Sequence, residues 1–555
     1  MPTRTSSSTR AGRGFRLERD PLGDVRVPAA AYYGAQTQRA VENFAISGLT
    51  APPELVTATI LIKKAAALAN RGLGRLPANV GRAIVSAADE ILAGQLRDQF
   101  VVDVYQAGAG TSHNMNANEV LANRASEILG GRRGEYTRVH PNDHVNMGQS
   151  TNDVYPTATR LALMLMLPEL LGSARALADG LSAKSAEFAG VLKTGRTHLQ
   201  DAVPITAGQE LGGFAANVAH AAAEVERAWE ALRELNLGAS AVGTGLNAGT
   251  DYMLAAIGHL VELTALPLRP AADRFRVTQS MGDVLTCSSA LRRLAVEVSK
   301  VASDLRLLSM GPRAGLAEIQ LPAVQPGSSI MPGKVNPSVL EMVNQVCYQV
   351  FGCDAAILAA ADAGQLELNV MMPVIAWNAL HATRILREAM RVMQERAVAG
   401  LRVDEARCRE LLDRSTALAT ALSPYIGYAA TADIAKTAVA TGRPIRDLVR
   451  ERGLLPGDQL DAILSAEAMT SPGVPGRTAA ADVPTARTDD HAGTRGASAG
   501  RGQPADPVKR GRRASTRAAV RPEGPRDAGG SGSRRVAASG PDHGRPRHRR
   551  RQRRR

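Results

Sequence analysis

Gly327-Ser328-Ser329-Ile330-Met331-Pro332-Gly333-Lys334-Val335-Asn336-Pro337 is the stretch from which the fold can be read. It is a small-residue loop with two hydroxyls, then a lysine, then a helix start. Asn336 is placed to cap that helix, and Pro337 suits its first position because a proline's missing N–H is not needed there. Val339, Met342, Val343, Val346 and Val350 follow at helical spacing. Ser328, Ser329 and Lys334 therefore fall beside a helix N-terminus, where the dipole and free N–H groups favour an anion. Physics alone reads the same residues equally well as a surface turn before an ordinary helix.

Other stretches carry polar groups in the same manner. Gln106-Ala107-Gly108-Ala109-Gly110-Thr111-Ser112-His113-Asn114-Met115-Asn116 sets the Thr111 hydroxyl after residues small enough to let backbone approach a ligand. On its own it is a glycine-rich helix entrance. Ser150, Thr151 and Asn152 come in succession before an apolar run, which a helix cap would explain by using one of them. Thr197 and His198 lie in Gly195–Pro204, read as a loop. A lone histidine is more often a satisfied structural group than a catalyst. Gly243–Asn247 is a further glycine-rich turn, and Gly364–Val370 leads into Pro373-Val374-Ile375.

Together these motifs resemble the aspartase/fumarase superfamily of lyases over roughly residues 16 to 470. AYYGAQTQRAVENF from Ala31, GAGTS with NMNANEVLAN, QSTND, GRTHLQDAVP, GSSIMPGKVNP and the C-terminal IRDLV and GLL carry the likeness. GAGTS, QSTND and the PVI segment resemble the aspartase branch. VLANRASEILGG and IGYAATADIAK lean towards class II fumarases, and HPND at His140 resembles a secondary anion site described for them. The resemblance implies an all-α, three-domain fold whose long central helical bundle is shared in a homotetramer, with each active site built from three subunits. It implies reversible deamination of L-aspartate to fumarate and ammonia, by Cβ proton abstraction through an enediolate-like intermediate. The alternatives are fumarate hydration, or a lyase of the superfamily acting on another amino-succinate.

The same resemblance assigns Ser328 as the base, with His198 the second catalytic residue. Ser329, Thr111, Ser150 and Thr151 would bind the β-carboxylate. Lys334, Asn336 and Thr197 would hold the α-carboxylate, while Asn152 and His198 face the amino group. Glu341 would orient His198, or pair with a surface cation. No metal or other cofactor is implied. A catalytically silent relative, as the lens crystallins of the superfamily are, is disfavoured because every matched polar residue is present.

Composition agrees with helices. Only 3% of residues are aromatic while 44% are hydrophobic, so the core must be Ala, Leu and Val, which favours closely packed helices. A length of 555 residues suggests about three domains. The expected divisions are a disordered N-terminus (1–15), a mainly helical domain (16–148), a central bundle (149–400), a small helical domain (401–470) and a disordered basic tail (471–555). Helices are predicted from Ala51 to Ala69, from Phe214 and from Leu291, and Leu161–Leu171, apolar nearly all round, should be buried on several faces.

From Ser471 onward, 21 basic and 7 acidic residues account for the whole formal charge of +14. That tail suggests at most non-specific contact with nucleic acid, since it has no Phe, Tyr or Trp. It reads equally as a solvated tail or as coding sequence in a shifted frame. Cys287, Cys347, Cys353 and Cys408 lack metal-ligand spacing and read as core residues of a reducing compartment. No apolar run is expected to reach membrane-spanning length, and no signal peptide is seen, so the chain is expected in the cytoplasm.

Overall fold

The computed structural model describes residues 14–477; the expectations for 1–13 and 478–555 lie outside the described residues. The described chain opens with an antiparallel hairpin of β1 (Phe15–Asp20) and β2 (Gly23–Pro28). Phe15, expected in the low-complexity N-terminus, instead begins a strand. Its period-two alternation runs opposite to an amphipathic one. Phe15 and Leu17 face solvent, while Glu18 is buried and accepts the Ala35 amide. Arg16 donates to the carbonyls of Pro28, Ala31 and Tyr33. The hairpin is thus held by polar groups pointing inward.

Helices α1 (Ala35–Asn43), α2 (Pro53–Gly72), α3 (Ala78–Leu92) and α4 (Thr111–Ile128) follow. Val56, Ile60, Ile84, Ile91, Val120 and Leu121 form the shared core of α2, α3 and α4.

The central bundle is built from five long helices. They are α5 (Thr151–Glu187), α6 (Ala207–Trp229), α9 (Gly282–Leu308), α10 (Ser338–Asp362) and α11 (Met372–Met393). Between them lie the hairpin β3 (Leu192–Thr197) and β4 (Gln200–Thr206), helices α7 (Thr250–Thr264) and α8 (Arg274–Gln279), and a minimal parallel pair β5 (Glu234–Leu235) and β6 (Arg269–Pro270). The strand pair β7 (Ile319–Gln320) and β8 (Arg402–Val403) ties the bundle's lower connections together.

Successive bundle helices run in opposite directions, and specific contacts fix which ends meet. Arg160, buried on α5, donates to Asp283 at the start of α9 at 2.6 Å. Ser288 near that same end bonds Asp354 near the end of α10. At the other end, Asn344 of α10 donates to Ser299 and Ser303 of α9. One end of the bundle therefore holds the start of α5 and the end of α10. The opposite end holds the end of α5 and the start of α10.

Leu161, Leu163, Met164, Leu167 and Leu171 are buried, as the apolar run requires, among Val218, Val225, Leu294, Val298, Ile375 and Leu386. In α10 the stripe is turned from the predicted one. Leu340, Val343, Cys347 and Val350 are buried, while Val339, Met342 and Val346 only flank the core. The membrane-length expectation needs correction: α5 is long and apolar enough to cross a membrane. Here those side chains are spent on neighbouring helices. All four cysteines are buried free thiols.

Helices α12 (Glu405–Arg414), α13 (Ala419–Thr441), α14 (Ile445–Glu451), α15 (Gly457–Ile463) and α16 (Ala466–Thr470) close the described chain. Leu418, Leu422, Ile434, Leu448, Leu460 and Ile463 form their core. Residues just beyond Thr470, assigned to the tail, belong to this cluster: the Tyr425 hydroxyl donates to the Pro475 carbonyl, and the Arg477 guanidinium lies 6.0 Å over the Tyr425 ring.

Candidate active site

At the first end of the bundle, four predicted segments converge. Ala109 N–H donates to the Val370 carbonyl at 2.8 Å, which fastens the glycine-rich turn to Gly364–Val370. Gly110 has φ +82°, and a Cβ there would lie 2.1 Å from the Tyr155 ring, so only glycine fits. The turn delivers Thr111 as the first residue of α4, its hydroxyl exposed and donating to Gly108 O at 3.3 Å.

Ser150 caps α5: its Oγ accepts the Asn152 amide at 3.2 Å, and its own N–H donates to Asp153. The cap reading thus holds for Ser150. Thr151 Oγ1 accepts from Asn114 Nδ2 at 3.2 Å. Asn152 Nδ2 donates to Ala241 O at 2.8 Å, drawing in the 238–247 loop, and its Oδ1 has no hydrogen-bond donor among the described residues.

Beneath these lies a buried polar cluster that sequence reasoning missed. Burial holds the Asp153 carboxyl up at about 7, opposed by the amides of Ser150, Ser240 and Gly238 and by Lys63. Burial pulls the Lys63 ammonium down to about 7, with Asp153 opposing. Lys63 donates to Asn146 Oδ1 and Gln149 Oε1, each at 2.9 Å. Burial also takes the neighbouring His113 imidazole down to about 4, helped by Lys63. The available signal was one lysine of LIKKAAALAN falling on the apolar face of α2.

At the second end, the segment read as a loop at Gly195–Pro204 is the β3–β4 hairpin. His198 (φ +56°) and Leu199 (φ +60°) form its two-residue turn, and left-handed backbone in both is what such a turn requires. Thr197 and His198 are exposed at its tip. Its base is pinned by charge: Arg196 forms two 3.0 Å bonds to the fully buried Glu318, which also lies 3.3 Å from Lys193.

The Ser328 loop is closed at its neck. Gly327 N–H donates to Lys334 O at 2.9 Å, and a Cβ on Gly327 would sit 2.2 Å from that oxygen. Asn336 does not cap α10. Pro337 occupies the cap position, and the Asn336 amide turns back to Gly327 O at 3.0 Å, because closing the neck competes with capping. Inside the loop, Ser328 Oγ accepts the amides of Ile330 (3.2 Å) and Met331 (3.1 Å). Ser329 and Lys334 are exposed. Glu341, in the first turn of α10, pairs with neither His198 nor a cation among the described residues.

Thr111, Ser150, Thr151 and Asn152 therefore sit at one end of the bundle; Thr197, His198, Ser328, Ser329, Lys334, Asn336 and Glu341 belong to the other. The 25 residues of α10 put about 37 Å between the ends, and the 37 residues of α5 about 55 Å. No group of three or more His, Cys, Asp or Glu suited to a metal ion occurs among the described residues.

A half-buried cap region rich in hydroxyls and amides, and a serine held by backbone N–H groups, agree with the superfamily the motifs resemble. A family model described as Lyase matches residues 23–352, one described as Fumarase C C-terminus matches 418–471, and the chain belongs to this lyase family. The aspartate ammonia-lyase of Pseudomonas fluorescens is 51% identical over 461 residues, 82% of this chain and 96% of that one. A Brucella melitensis structure described as fumarate lyase:delta crystallin, bound to cobalt, is 50% identical with TM-score 0.80 over 83% of this chain and all of that one. The class II fumarase of Schistosoma mansoni reaches the same TM-score and coverage at 38% identity.

Proposed function

We propose that the chain is an aspartate ammonia-lyase, a carbon–nitrogen lyase that reversibly converts L-aspartate to fumarate and ammonia. The observation that carries the chemistry is the pair of amides aimed at Ser328 Oγ. A serine is a base only when ionised, and hydrogen bonds to the charged form are what lower a pKa. Ser328 takes the Cβ proton. The electron pair passes into the β-carboxylate, then forms the Cα–Cβ double bond as the Cα–N bond breaks and ammonia leaves.

The intermediate carries two negative charges on one carboxyl group. Donors fixed beforehand bind it better than they bind the substrate, each worth about 3 kcal/mol. Ser329, Thr111, Ser150 and Thr151 supply them. Lys334, Asn336 and Thr197 hold the α-carboxylate. Asn152 offers its free Oδ1 to the amino group, alongside His198.

The two halves of this set lie at opposite ends of one chain, so the site is completed between chains. That separation supports a homotetramer with shared sites. Four reduced, buried thiols suit a cytoplasmic protein.

Purified protein given aspartate or malate in parallel, with fumarate followed by absorbance, tests the assignment. Aspartate should be turned over far faster; equal or greater turnover of malate would move the chain to the fumarases. A protein ending at Arg477 should keep its assembly and aspartate activity and lose salt-sensitive binding to DNA. Ending instead at Thr470 removes the Pro475 acceptor from Tyr425 and should cost the C-terminal cluster about 1 kcal/mol, seen as a lower melting temperature. Loss of assembly in the Arg477 protein would make residues 478–555 part of the fold.

A further inference from the structure

Asn114 is 2% exposed and is not among the substrate contacts assigned above. Its bonds nevertheless determine what the Thr151 hydroxyl can do. The buried Lys63 amine donates to Asn146, whose Nδ2 is already committed to the Gln149 carbonyl at 3.3 Å. Asn146 must therefore present Oδ1, not its NH2 group, to Lys63, and the separation is 2.9 Å. That same Oδ1 lies 3.3 Å from Asn114, so Asn114 must present Nδ2 in turn. The second Nδ2 proton of Asn114 points to Thr151 Oγ1 at 3.2 Å.

Thr151 Oγ1 is thereby an acceptor towards the protein interior. A hydroxyl has one proton, and this one has no protein acceptor among the described residues. The opposite rotation of the Asn114 amide would set two carbonyl oxygens against each other at Asn146. Gln149 strengthens the constraint: its Oε1 takes a second Lys63 proton at 2.9 Å while its Nε2 is held by Val145 O.

We propose that Asn114 is a positioning residue that, oriented by Lys63 through Asn146, keeps the Thr151 hydroxyl proton aimed outward as a donor to the substrate carboxylate. This rests on the reading of Thr151 as a β-carboxylate contact. The donor is fixed before the dianion forms, so no proton has to be redirected during the reaction. A residue acting this way should affect turnover rather than the affinity for aspartate.

The test is a double-mutant cycle on the full chain, with assembly and melting temperature checked for each variant. Thr151→Val removes the hydroxyl at nearly constant shape and should lower kcat about 100-fold, the value of one such donor. Asn114→Leu removes the aiming amide and should lower kcat by a similar factor with KM within about threefold. In the Thr151→Val background Asn114→Leu should add almost nothing. Asn114→Asp, close to isosteric, offers Thr151 an acceptor in place of a donor, so the hydroxyl turns inward and turnover should fall at least as far. It also serves should the leucine variant fail to fold. Equal losses from Asn114→Leu in both backgrounds would overturn the proposal while leaving Thr151 a substrate contact. Full turnover by Thr151→Val would instead remove Thr151 from the site, and the proposal with it.

Discussion

Ser328→Ala should abolish nearly all turnover, by about 10³-fold or more, the range expected for loss of a positioned base. Binding of aspartate or of a dicarboxylate inhibitor should change little. The substitution removes the one loop oxygen that accepts the Ile330 and Met331 amides, and so the only alkoxide those amides are set to stabilise. It leaves the neck untouched, because Gly327 N–H to Lys334 O and Asn336 to Gly327 O involve no Ser328 side-chain atom. Ser329→Ala removes one donor to the dianion and keeps the base, so measurable turnover should survive, reduced about 100-fold. Lys334→Ala should act chiefly on KM, since it leaves the α-carboxylate without its cation. Exchange of the Cβ proton with solvent reports the base directly. If Ser328→Ala turns over aspartate at near wild-type rate, the base lies elsewhere, with His198 the next residue to test.

The long helices were legible because burial on a helix leaves a period. Val218, Val225, Leu294, Val298 and Leu305 are each at most 1% exposed, where the three-and-four spacing put them. Polar segments were less legible, because several partners compete for each donor. Asn336 satisfies every sequence rule for a cap, yet its amide closes the loop neck instead. Ser150 is used as a cap, as the bland reading allowed. In β1 the alternation is visible in the sequence, but which face is inward depends on Arg16 and Glu18 finding backbone partners. The His198–Leu199 turn carries no glycine or asparagine to announce its left-handed backbone. Lys63 and Asn114 escaped notice because a buried ammonium and amide are identified by their partners, which lie more than 30 residues away in sequence.

Two inactive variants with defects at opposite ends of the bundle should restore each other's activity when their chains are mixed. Thr151 begins α5, while Ser328 precedes α10, which runs the other way. About 37 Å of α10 alone separates those ends, so one chain cannot bring both residues to one small dicarboxylate. If both residues serve one site, as proposed, that site draws Thr151 from one chain and Ser328 from another. In assemblies of Ser328→Ala and Thr151→Val chains mixed in equal amounts, about a quarter of the sites receive the native residue at both positions. Co-expression, or refolding of the two together, should therefore recover on the order of a quarter of wild-type turnover, from parents that each have far less. Mixing without subunit exchange should recover nothing, which separates true sharing from residual activity. Variants paired from the same half-site, such as Ser328→Ala with Ser329→Ala, supply the control. Their defects enter a site on one loop, so no assembly of the two chains contains a native loop, and activity should not exceed that of the better parent. Recovery in that control, or its absence in the first mixture despite verified mixed assemblies, would place Thr151 and Ser328 in different sites and break the assignment of the β-carboxylate donors.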